Sequence, residues 1–272
     1  MPIYFPPINN SNCILVQSPY GTSLEFETIS APVETGTFWS FPLRGSGLSG
    51  YPTTPLSRFN LNYSNISDAE VNTLYAFFQS VRGKWLPFRF LDPNGNLLQQ
   101  SQLFSNSAWA KTLTATPGAP DPTGNLLGFT LSSGHMQAVI GPSDGGMSGF
   151  VMCASIYLKA LAGGVTASIG FVDQTTSTQY LKTFSLPANS WLRISNNLVL
   201  PTNNQFVAYI SVSGNCYAFG AQAVPMKGEG AYQCVPGNYG VHLNCRFDTD
   251  VFNIQAVGPN QNQLQLPVVE TN

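Results

Sequence analysis

Charged side chains are scarce in this sequence. Asp, Glu, Lys and Arg together make up 9% of the 272 residues, whereas about a quarter is usual for a globular domain. Neutral polar residues, Gly and Pro take their place, and the formal net charge is only −2, so little repulsion keeps copies of the chain apart. This composition favours a subunit that is built permanently into an assembly over an enzyme that circulates freely.

Other absences exclude whole classes of partner. No cluster of Lys and Arg could follow a phosphate backbone, so we expect no nucleic-acid binding. No apolar run reaches the roughly 18 residues that a membrane-spanning helix needs. The N-terminal MPIYFPPINN lacks the basic and apolar regions of a secretion signal. We therefore expect no membrane insertion.

Catalytic and metal-binding motifs are absent as well. The sequence contains no GxSxG, HExxH or P-loop motif, and four metal ligands cannot be assembled around either His135 or His242 from one region. Asp248 and Asp250 could form an acidic pair on one strand face, but the favoured interpretation is an exposed face or a salt bridge to Arg246 or to a neighbouring subunit. We predict that the chain is not an enzyme and uses no cofactor or metal.

The cysteines point away from a cross-linked secreted domain. They are odd in number, widely spaced and without a CxxC motif, which predicts reduced thiols. A pair between Cys234 and Cys245 across a hairpin stays open. The five residues are Cys13, Cys153, Cys216, Cys234 and Cys245.

One stretch of the sequence predicts a helix. Ser67 and Glu70 have the spacing of a capping box, apolar residues then recur every three or four positions, and Gly83 can end the helix at positive φ. A helix with this many aromatic residues must lie against a sheet. The predicted core residues are Leu74, Phe77 and Phe78 of the helix and Trp85, which follows it.

The rest of the chain predicts strands. Residues 1–66 contain the predicted strands SNCILVQ, SLEFETI, TGTFWSF and RFNLNY. Residues 101–233 alternate in short segments typical of a β-sandwich. Residues 234–272 again have a strand pattern like that of residues 1–66. We predict an all-β fold with two domains. Residues 1–100 together with 234–272 would form a β-sandwich or barrel with one α-helix, and residues 101–233 an inserted jelly-roll β-sandwich.

Aromatic residues of the predicted insertion are the candidates for ligand binding. Sugar rings stack on exposed aromatic faces through their apolar C–H patches. For each of these side chains, a place in the core is the alternative. The candidates for glycan binding are Trp109, Tyr180, Trp191 and Tyr217.

The run from Arg58 to Asn96 resembles the distal tail, or tail-hub, proteins of long-tailed phages and gene transfer agents. Those proteins have an alternating strand, a helix of the pattern (S/T)DAE…LxxFF…RGK, and an aromatic strand that ends in FxFxDP. This sequence has RFNLNY, SDAEVNTLYAFFQSVRGK and FRFLDP in the same order. The C-terminal NYGVHLNCRFDTDVFNIQAVGPNQNQLQLPVVE is similar to the last strands of the same domain.

The middle of the chain is similar to the jelly-roll, carbohydrate-binding-like modules that are attached to phage tail proteins. The similar segments are, in order, LFSNSAWAKT, ASIYLKA, SWLRIS and YAFGAQAVP. Where those modules end in WGAQLE, this sequence has YAFGAQAV, with Phe219 in place of the Trp and without the acid. This difference puts in question any ligand or ion site that the acid forms in relatives.

Together the two resemblances imply a structural component of a phage tail. Distal tail subunits form rings, commonly hexameric, between the tail tube and the tip or baseplate proteins, and an attached module would project outward and could contact host surface glycans. The implied location is the virion tail, with assembly in the host cytoplasm. The alternative is a receptor-binding protein or adhesin whose main task is glycan attachment, and a polysaccharide-degrading enzyme is less favoured.

Overall fold

The structure is a computed structural model that describes residues 3–7, 13–19, 57–142, 145–235 and 239–271. The predicted strands SLEFETI and TGTFWSF lie outside the described residues. The described part of the chain is mainly β, with sixteen strands and one helix, which confirms the predicted all-β fold class. No helix in these ranges is long and apolar enough to cross a membrane.

The elements have the following bounds. The strands are β1 (Cys13–Pro19), β2 (Ser57–Ile66), β3 (Phe88–Leu91), β4 (Ala110–Lys111), β5 (Ala115–Ala119), β6 (Gly128–Leu131), β7 (Gly134–Val139), β8 (Val151–Ala160), β9 (Thr166–Asp173), β10 (Gln179–Ser185), β11 (Leu192–Val199), β12 (Phe206–Val212), β13 (Cys216–Val224), β14 (Val241–Phe247), β15 (Ile254–Gly258) and β16 (Gln261–Glu270). The helix, α1 (Asp68–Ser80), follows β2.

The chain divides into two compact units. The split unit combines Pro2–Phe90 with His242–Asn272, and the inserted unit is Leu91–Val241. The boundaries lie outside the predicted positions 100/101 and 233/234, because the backbone after residue 91 bonds to strands and turns of the insertion. The Asp92 N–H donates to the Gly240 carbonyl at 2.9 Å, and the Leu97 N–H donates to the Ala223 carbonyl at 2.8 Å.

The split unit is built on one sheet. Its strand order is β1-β2-β16-β14-β3, and β15 pairs with β16 beside this path. Alternation along β2 buries Phe59, Leu61 and Tyr63, and Leu61 lies opposite Leu266 of β16. The alternating strand predicted for RFNLNY is therefore confirmed.

Helix α1 begins with the predicted capping box. The Ser67 hydroxyl accepts a hydrogen bond from the Glu70 N–H at 3.3 Å, and the Glu70 carboxylate accepts one from the Ser67 N–H at 2.8 Å. At the other end, Gly83 has a φ of +59°, and its N–H donates to the Phe78 carbonyl at 3.0 Å. Both ends of the helix thus satisfy backbone groups that the helix itself leaves unpaired.

The apolar face of α1 belongs to the core of the split unit. Leu74 and Phe78 are buried, and Phe77 is half-buried against the same cluster. The Phe78 ring lies 4.9 Å from the ring of Phe247, centroid to centroid, and the Phe77 ring lies 5.2 Å from that of Phe88. The predicted core role of the three helix residues agrees with these positions.

Trp85 is the exception among the predicted core residues. Its side chain is 70% exposed, so its predicted place in the core is wrong. The turn after α1 explains the difference: the Leu86 N–H donates to the Val81 carbonyl at 2.9 Å, and Leu86 packs against the core instead. Both Trp85 and Leu86 are large and apolar, so the sequence alone does not predict which of the two packs against the core.

The inserted unit is a β-sandwich of two five-stranded sheets. The front sheet has the order β11-β8-β13-β6-β5, and the back sheet has the order β10-β9-β12-β7-β4. Along β8, Ile156 and Leu158 are buried, whereas Tyr157 and Lys159 between and after them are partly exposed. This alternation gives the front sheet an apolar inner face and an outward face that carries aromatic and polar side chains.

Candidate functional site

Trp109 does not contribute to any exposed site. Its side chain is only 2% exposed, its Nε1 donates to the Gln100 carbonyl at 2.7 Å, and its ring meets the Phe104 ring edge to face at 5.4 Å. The turn of SNSA folds the chain back, with the Trp109 N–H on the Asn106 carbonyl, so that the indole enters the core. The prediction that Trp109 binds glycan is therefore wrong.

Tyr217 lies on the outward face of the front sheet. In strand β13 it stands opposite Lys159 of β8 on one side and Thr130 of β6 on the other. Thr130 in turn stands opposite Thr116 of β5. These four residues form a row across neighbouring strands, and each is at least partly exposed.

Trp191 extends this row at its other end. It directly precedes β11, in which Leu192 stands opposite the buried Leu158 of β8. Trp191 is partly exposed, and its position next to Leu192 places it at the end of β11, near the part of β8 that contains Leu158 and Lys159. We call the resulting row the platform; it consists of Trp191, Lys159, Tyr217, Thr130 and Thr116.

Tyr180 is not part of the platform. It lies on β10, the edge strand of the back sheet, opposite the buried Phe171. Its half-buried ring lies 6.4 Å from that of Phe206. Of the four predicted glycan-binding residues, Tyr217 therefore lies in the front sheet and Trp191 next to it, whereas Tyr180 lies in the back sheet.

The neighbouring row of the outward face is aromatic as well. Arg193 stands opposite Tyr157, and Tyr157 stands opposite Phe219. The Arg193 guanidinium lies over the Tyr157 ring at 5.1 Å from the centroid, and the rings of Tyr157 and Phe219 are 6.3 Å apart. A cation over an aromatic ring is an attractive contact, so the side chains of this row stabilise one another next to the platform.

Beyond this row, a segment of chain crosses the outward face; we call residues 226–233 the strap. Arg193 holds the strap to the sheet. Its Nη1 donates to the Gly230 carbonyl at 2.6 Å and its Nη2 to the Glu229 carbonyl at 3.2 Å. The same Nη2 reaches Gln222 Oε1 at 2.9 Å and Ser155 Oγ at 3.0 Å. One guanidinium thus joins the strap to two strands.

Strand β11 supplies two further bonds to the strap. Ser195 Oγ donates to Glu229 Oε2 at 2.9 Å, and the Gly228 N–H donates to Asn197 Oδ1, also at 2.9 Å. As a result Cys153, which belongs to the outward face, is fully buried. Burial and, secondly, the charge of Glu229 raise the pKa of the Cys153 thiol to about 12. The strap therefore closes one part of the face and leaves the platform accessible.

The acidic residues singled out in the sequence each form an ion pair. Arg58 Nη2 lies 2.6 Å from Asp248 Oδ2, and Lys84 Nζ lies 3.3 Å from Asp250 Oδ2. Burial raises the pKa of Asp248, although Arg58 and Lys84 act in the opposite direction. Each acid is thus engaged by a different cation, and the partner of Asp248 is Arg58 rather than Arg246.

Metal ligands are not grouped in the described ranges. No cluster of three or more His, Cys, Asp or Glu side chains that could hold a metal ion occurs there. Cys153, Cys216, Cys234 and Cys245 are free thiols. Asp173, a buried acid of the sandwich, has its carboxylate occupied by four hydrogen bonds from neighbouring residues.

Sequence reasoning did not single out Lys159 and Arg193 as parts of the site. The signal was present in part, because ASIYLKA and SWLRIS each alternate and so fix which residues share a face with Tyr157 or Trp191. What it lacks is the pairing between strands, which joins residues more than 30 positions apart.

Comparison with known proteins gives structural likenesses only. No family model and no curated protein matches the chain. Among solved structures, the enzymatically active domain of tailspike protein 4 from bacteriophage CBA120 is 18% identical, with 49% of this chain and 22% of that chain covered and a TM-score of 0.37. This chain therefore spans about a fifth of that domain's length.

Two further likenesses are to carbohydrate-binding modules. A xylan-binding domain of family 22 is 14% identical, with 50% of this chain and 99% of that chain covered and a TM-score of 0.38. A family 16 carbohydrate-binding module is 16% identical, with 47% and 99% covered and a TM-score of 0.34. The similar structures thus include a phage tailspike domain and carbohydrate-binding modules.

Proposed function

We propose that this chain is a structural subunit of a bacteriophage tail, of the distal tail or tail-hub type, and that its inserted unit attaches to glycans on the host surface. The observation that carries the proposal is the placement of the two segments that resemble tail-hub proteins. The first supplies β2, α1 and β3, and the second supplies β14, β15 and β16. Although they are far apart in sequence, they form one sheet.

The surface of the split unit supports a role in assembly. Large apolar side chains are exposed there on the helix, on the turn after it and around β15. The Tyr75 ring contacts Phe252 at 5.3 Å, which joins the helix to the segment before β15. We call these residues the apolar flank: Tyr75, Trp85, Val251, Ile254 and Val257. Exposed apolar patches bordered by polar residues mark contact surfaces between proteins, and the low charge of the chain does not oppose self-association.

Ring formation by the purified full-length chain tests this proposal. We expect a closed ring of defined copy number, measured by light scattering after size exclusion and seen in negative-stain images, in the absence of any glycan. Trp85→Ser should lower the ring fraction because it removes an exposed indole from the apolar flank. Leu126→Ser is the matched control, since Leu126 of the inserted unit is 69% exposed, like Trp85 at 70%.

Two outcomes would count against the tail-hub assignment. One is a chain that stays monomeric up to the highest soluble concentration. The other is a ring whose stability is lowered equally by the Trp85 and Leu126 substitutions, because then the contact would not involve the apolar flank.

The platform supports glycan attachment by the inserted unit. Two aromatic side chains, a lysine and two threonines offer stacking surfaces and hydrogen-bonding groups in one row, which is the combination that sugar sites use. The same observation also fits the second candidate function, a receptor-binding protein or adhesin with no hub role. A chain that binds glycan and never forms a ring would favour that candidate.

The proposal includes no catalytic step and no cofactor. It places the subunit in the virion tail after assembly in the host cytoplasm, with further copies of itself and other tail proteins as partners. Cleavage of a polysaccharide by the purified chain, lost on Asp248→Asn, would contradict it and favour the enzyme alternative.

A further inference from the structure

We infer that the platform selects sugars that carry a carboxylate, such as uronic acids, and that Lys159 makes this selection. The inference rests on the proposed glycan-binding function and adds to it the chemical class of the ligand. It follows from the position of Lys159, from the charges of the front sheet, and from the partners that the other cations already have.

Lys159 occupies the centre of the aromatic part of the platform. Tyr217 stands opposite it on β13, and Trp191 directly precedes Leu192, which pairs with Leu158 next to Lys159. Neighbouring strands are about 4.8 Å apart, so the positions of Tyr217 and Lys159 are about 5 Å apart. A sugar ring stacked on Tyr217 therefore brings its substituents close to the side chain of Lys159.

The front sheet offers no acid to neutralise this lysine. Its five strands, β5, β6, β8, β11 and β13, contain Lys159 and Arg193 but not a single Asp or Glu. Glu229 of the strap lies over this sheet, where its carboxylate accepts a hydrogen bond from Ser195 Oγ and its backbone carbonyl accepts one from Arg193. Glu229 forms no ion pair with Lys159.

Three of the other cations already have partners. Arg58 and Lys84 form ion pairs with Asp248 and Asp250. The guanidinium of Arg193 is occupied by oxygen atoms of the strap and of the sheet. Within the described ranges no acid lies at ion-pair distance from Lys159, which stands in a row of otherwise neutral side chains.

These observations favour an acidic ligand over a neutral one. A carboxylate at the Lys159 ammonium accepts a hydrogen bond and also gains the attraction between opposite charges, whereas a neutral hydroxyl accepts a hydrogen bond without that second attraction. Half-exposed ion pairs contribute up to about 1 kcal/mol, which corresponds to about fivefold in affinity. The stacking contribution of Trp191 and Tyr217 is common to both kinds of sugar.

Calorimetric titration of the full-length chain with two matched ligands tests the inference. The probes are a trisaccharide of glucuronic acid and the corresponding trisaccharide of glucose. We expect the acidic trisaccharide to bind about fivefold more tightly at low salt, and this preference to shrink as ionic strength rises, because salt screens exposed charges. Lys159→Gln should abolish the preference by lowering the affinity for the acidic trisaccharide to about that for the neutral one.

Lys182→Gln provides the matched control. Lys182 is an exposed lysine of β10 in the back sheet, and its Nζ lies over the Phe184 ring at 4.9 Å, so it too is a lysine beside an aromatic ring. We expect this variant to keep the full preference for the acidic trisaccharide, because Lys182 is not on the platform.

The outcomes separate this inference from the proposed function. Equal binding of the two trisaccharides by the unmodified chain, or a preference that survives in Lys159→Gln, overturns the inference and leaves glycan binding intact. If the folded chain binds neither trisaccharide at millimolar concentration, the inference is overturned together with this assignment of the platform. Ring formation is measured separately and is not affected by either result.

Discussion

Two tryptophans of the inserted unit differ in what surrounds their indole groups. Trp109 is enclosed by the core, with its Nε1 satisfied by the Gln100 carbonyl. Trp191 is partly exposed beside the front sheet. Residue type alone therefore does not separate a buried tryptophan from a partly exposed one; the turn that precedes Trp109 and the strand that follows Trp191 do.

Replacing each tryptophan by alanine should separate stability from binding. Trp109→Ala removes a large buried side chain and should lower the free energy of unfolding by about 3–5 kcal/mol. Trp191→Ala should change it by less than about 1 kcal/mol and should weaken the binding of both trisaccharides. Urea unfolding and calorimetry measure the two effects. A stability loss of similar size in both variants would mean that Trp191 is a core residue and that the platform ends at Lys159.

Buried thiols of the inserted unit predict a loss of stability at alkaline pH. Burial raises the pKa of Cys216 to about 12, and burial with the charge of Glu229 raises that of Cys153 to the same value. In the unfolded chain these thiols ionise near pH 9, so the folded state is favoured fully below pH 9 and loses this advantage as pH rises toward 12. The loss is at most about 1.4 kcal/mol per pH unit for each thiol.

Urea unfolding midpoints at pH 8 and pH 10.5, under reducing conditions, measure this dependence. Cys153→Ala should reduce the fall between the two pH values. Cys234→Ala should not, because Cys234 is exposed in the folded chain. The same fall in all three proteins would place its origin in other groups.

At the scale of elements, helix α1 is the part that local sequence determines best. Its capping box joins residues three positions apart, and its buried face follows from the helical repeat, so both could be predicted without knowledge of the fold. The aromatic strand after it was harder to interpret, because the intervening turn decides that Leu86 and not Trp85 faces the core.

Introducing the same charge at two aromatic positions tests this account of the helix. The Phe78 ring centroid lies 4.9 Å from that of Phe247 and 5.3 Å from that of Phe252. Phe78→Asp puts a carboxylate in place of this ring. The loss of the ring and the unpaired charge should together cost several kcal/mol and prevent folding of the split unit. Trp85→Asp should leave the fold intact, because Trp85 is exposed. Circular dichroism and solubility report the difference, and a soluble, cooperatively unfolding Phe78→Asp protein would mean that α1 is misplaced.

The strands of the inserted unit can be predicted as elements, but the platform that they form cannot. Alternation in ASIYLKA and YAFGAQAVP assigns each side chain to a face of its strand. It does not predict that Lys159 and Tyr217 lie opposite each other on adjacent strands. The strap could not be foreseen either. Its position depends on Arg193, which lies 36 residues or more before the carbonyls of Glu229 and Gly230 that it binds.

At the scale of the whole molecule, the order of strands explains how one chain carries two units. The chain leaves the split unit through β3 and returns through β14, and these two strands are neighbours in its sheet. An insertion between adjacent strand ends leaves the sheet continuous. This arrangement lets the inserted unit vary in sequence without changing the strands that the tail-hub resemblance covers, in keeping with the division of tasks that we propose.

A cryo-electron microscopy map of an intact phage tail that contains this chain tests the central claim most directly. The account predicts density for the split unit, with β2, α1, β3, β14 and β16 recognisable, in a closed ring at the distal end of the tail tube. Density for the chain only in fibres or spikes away from the tube, without a ring, would contradict the tail-hub assignment and favour a dedicated receptor-binding protein.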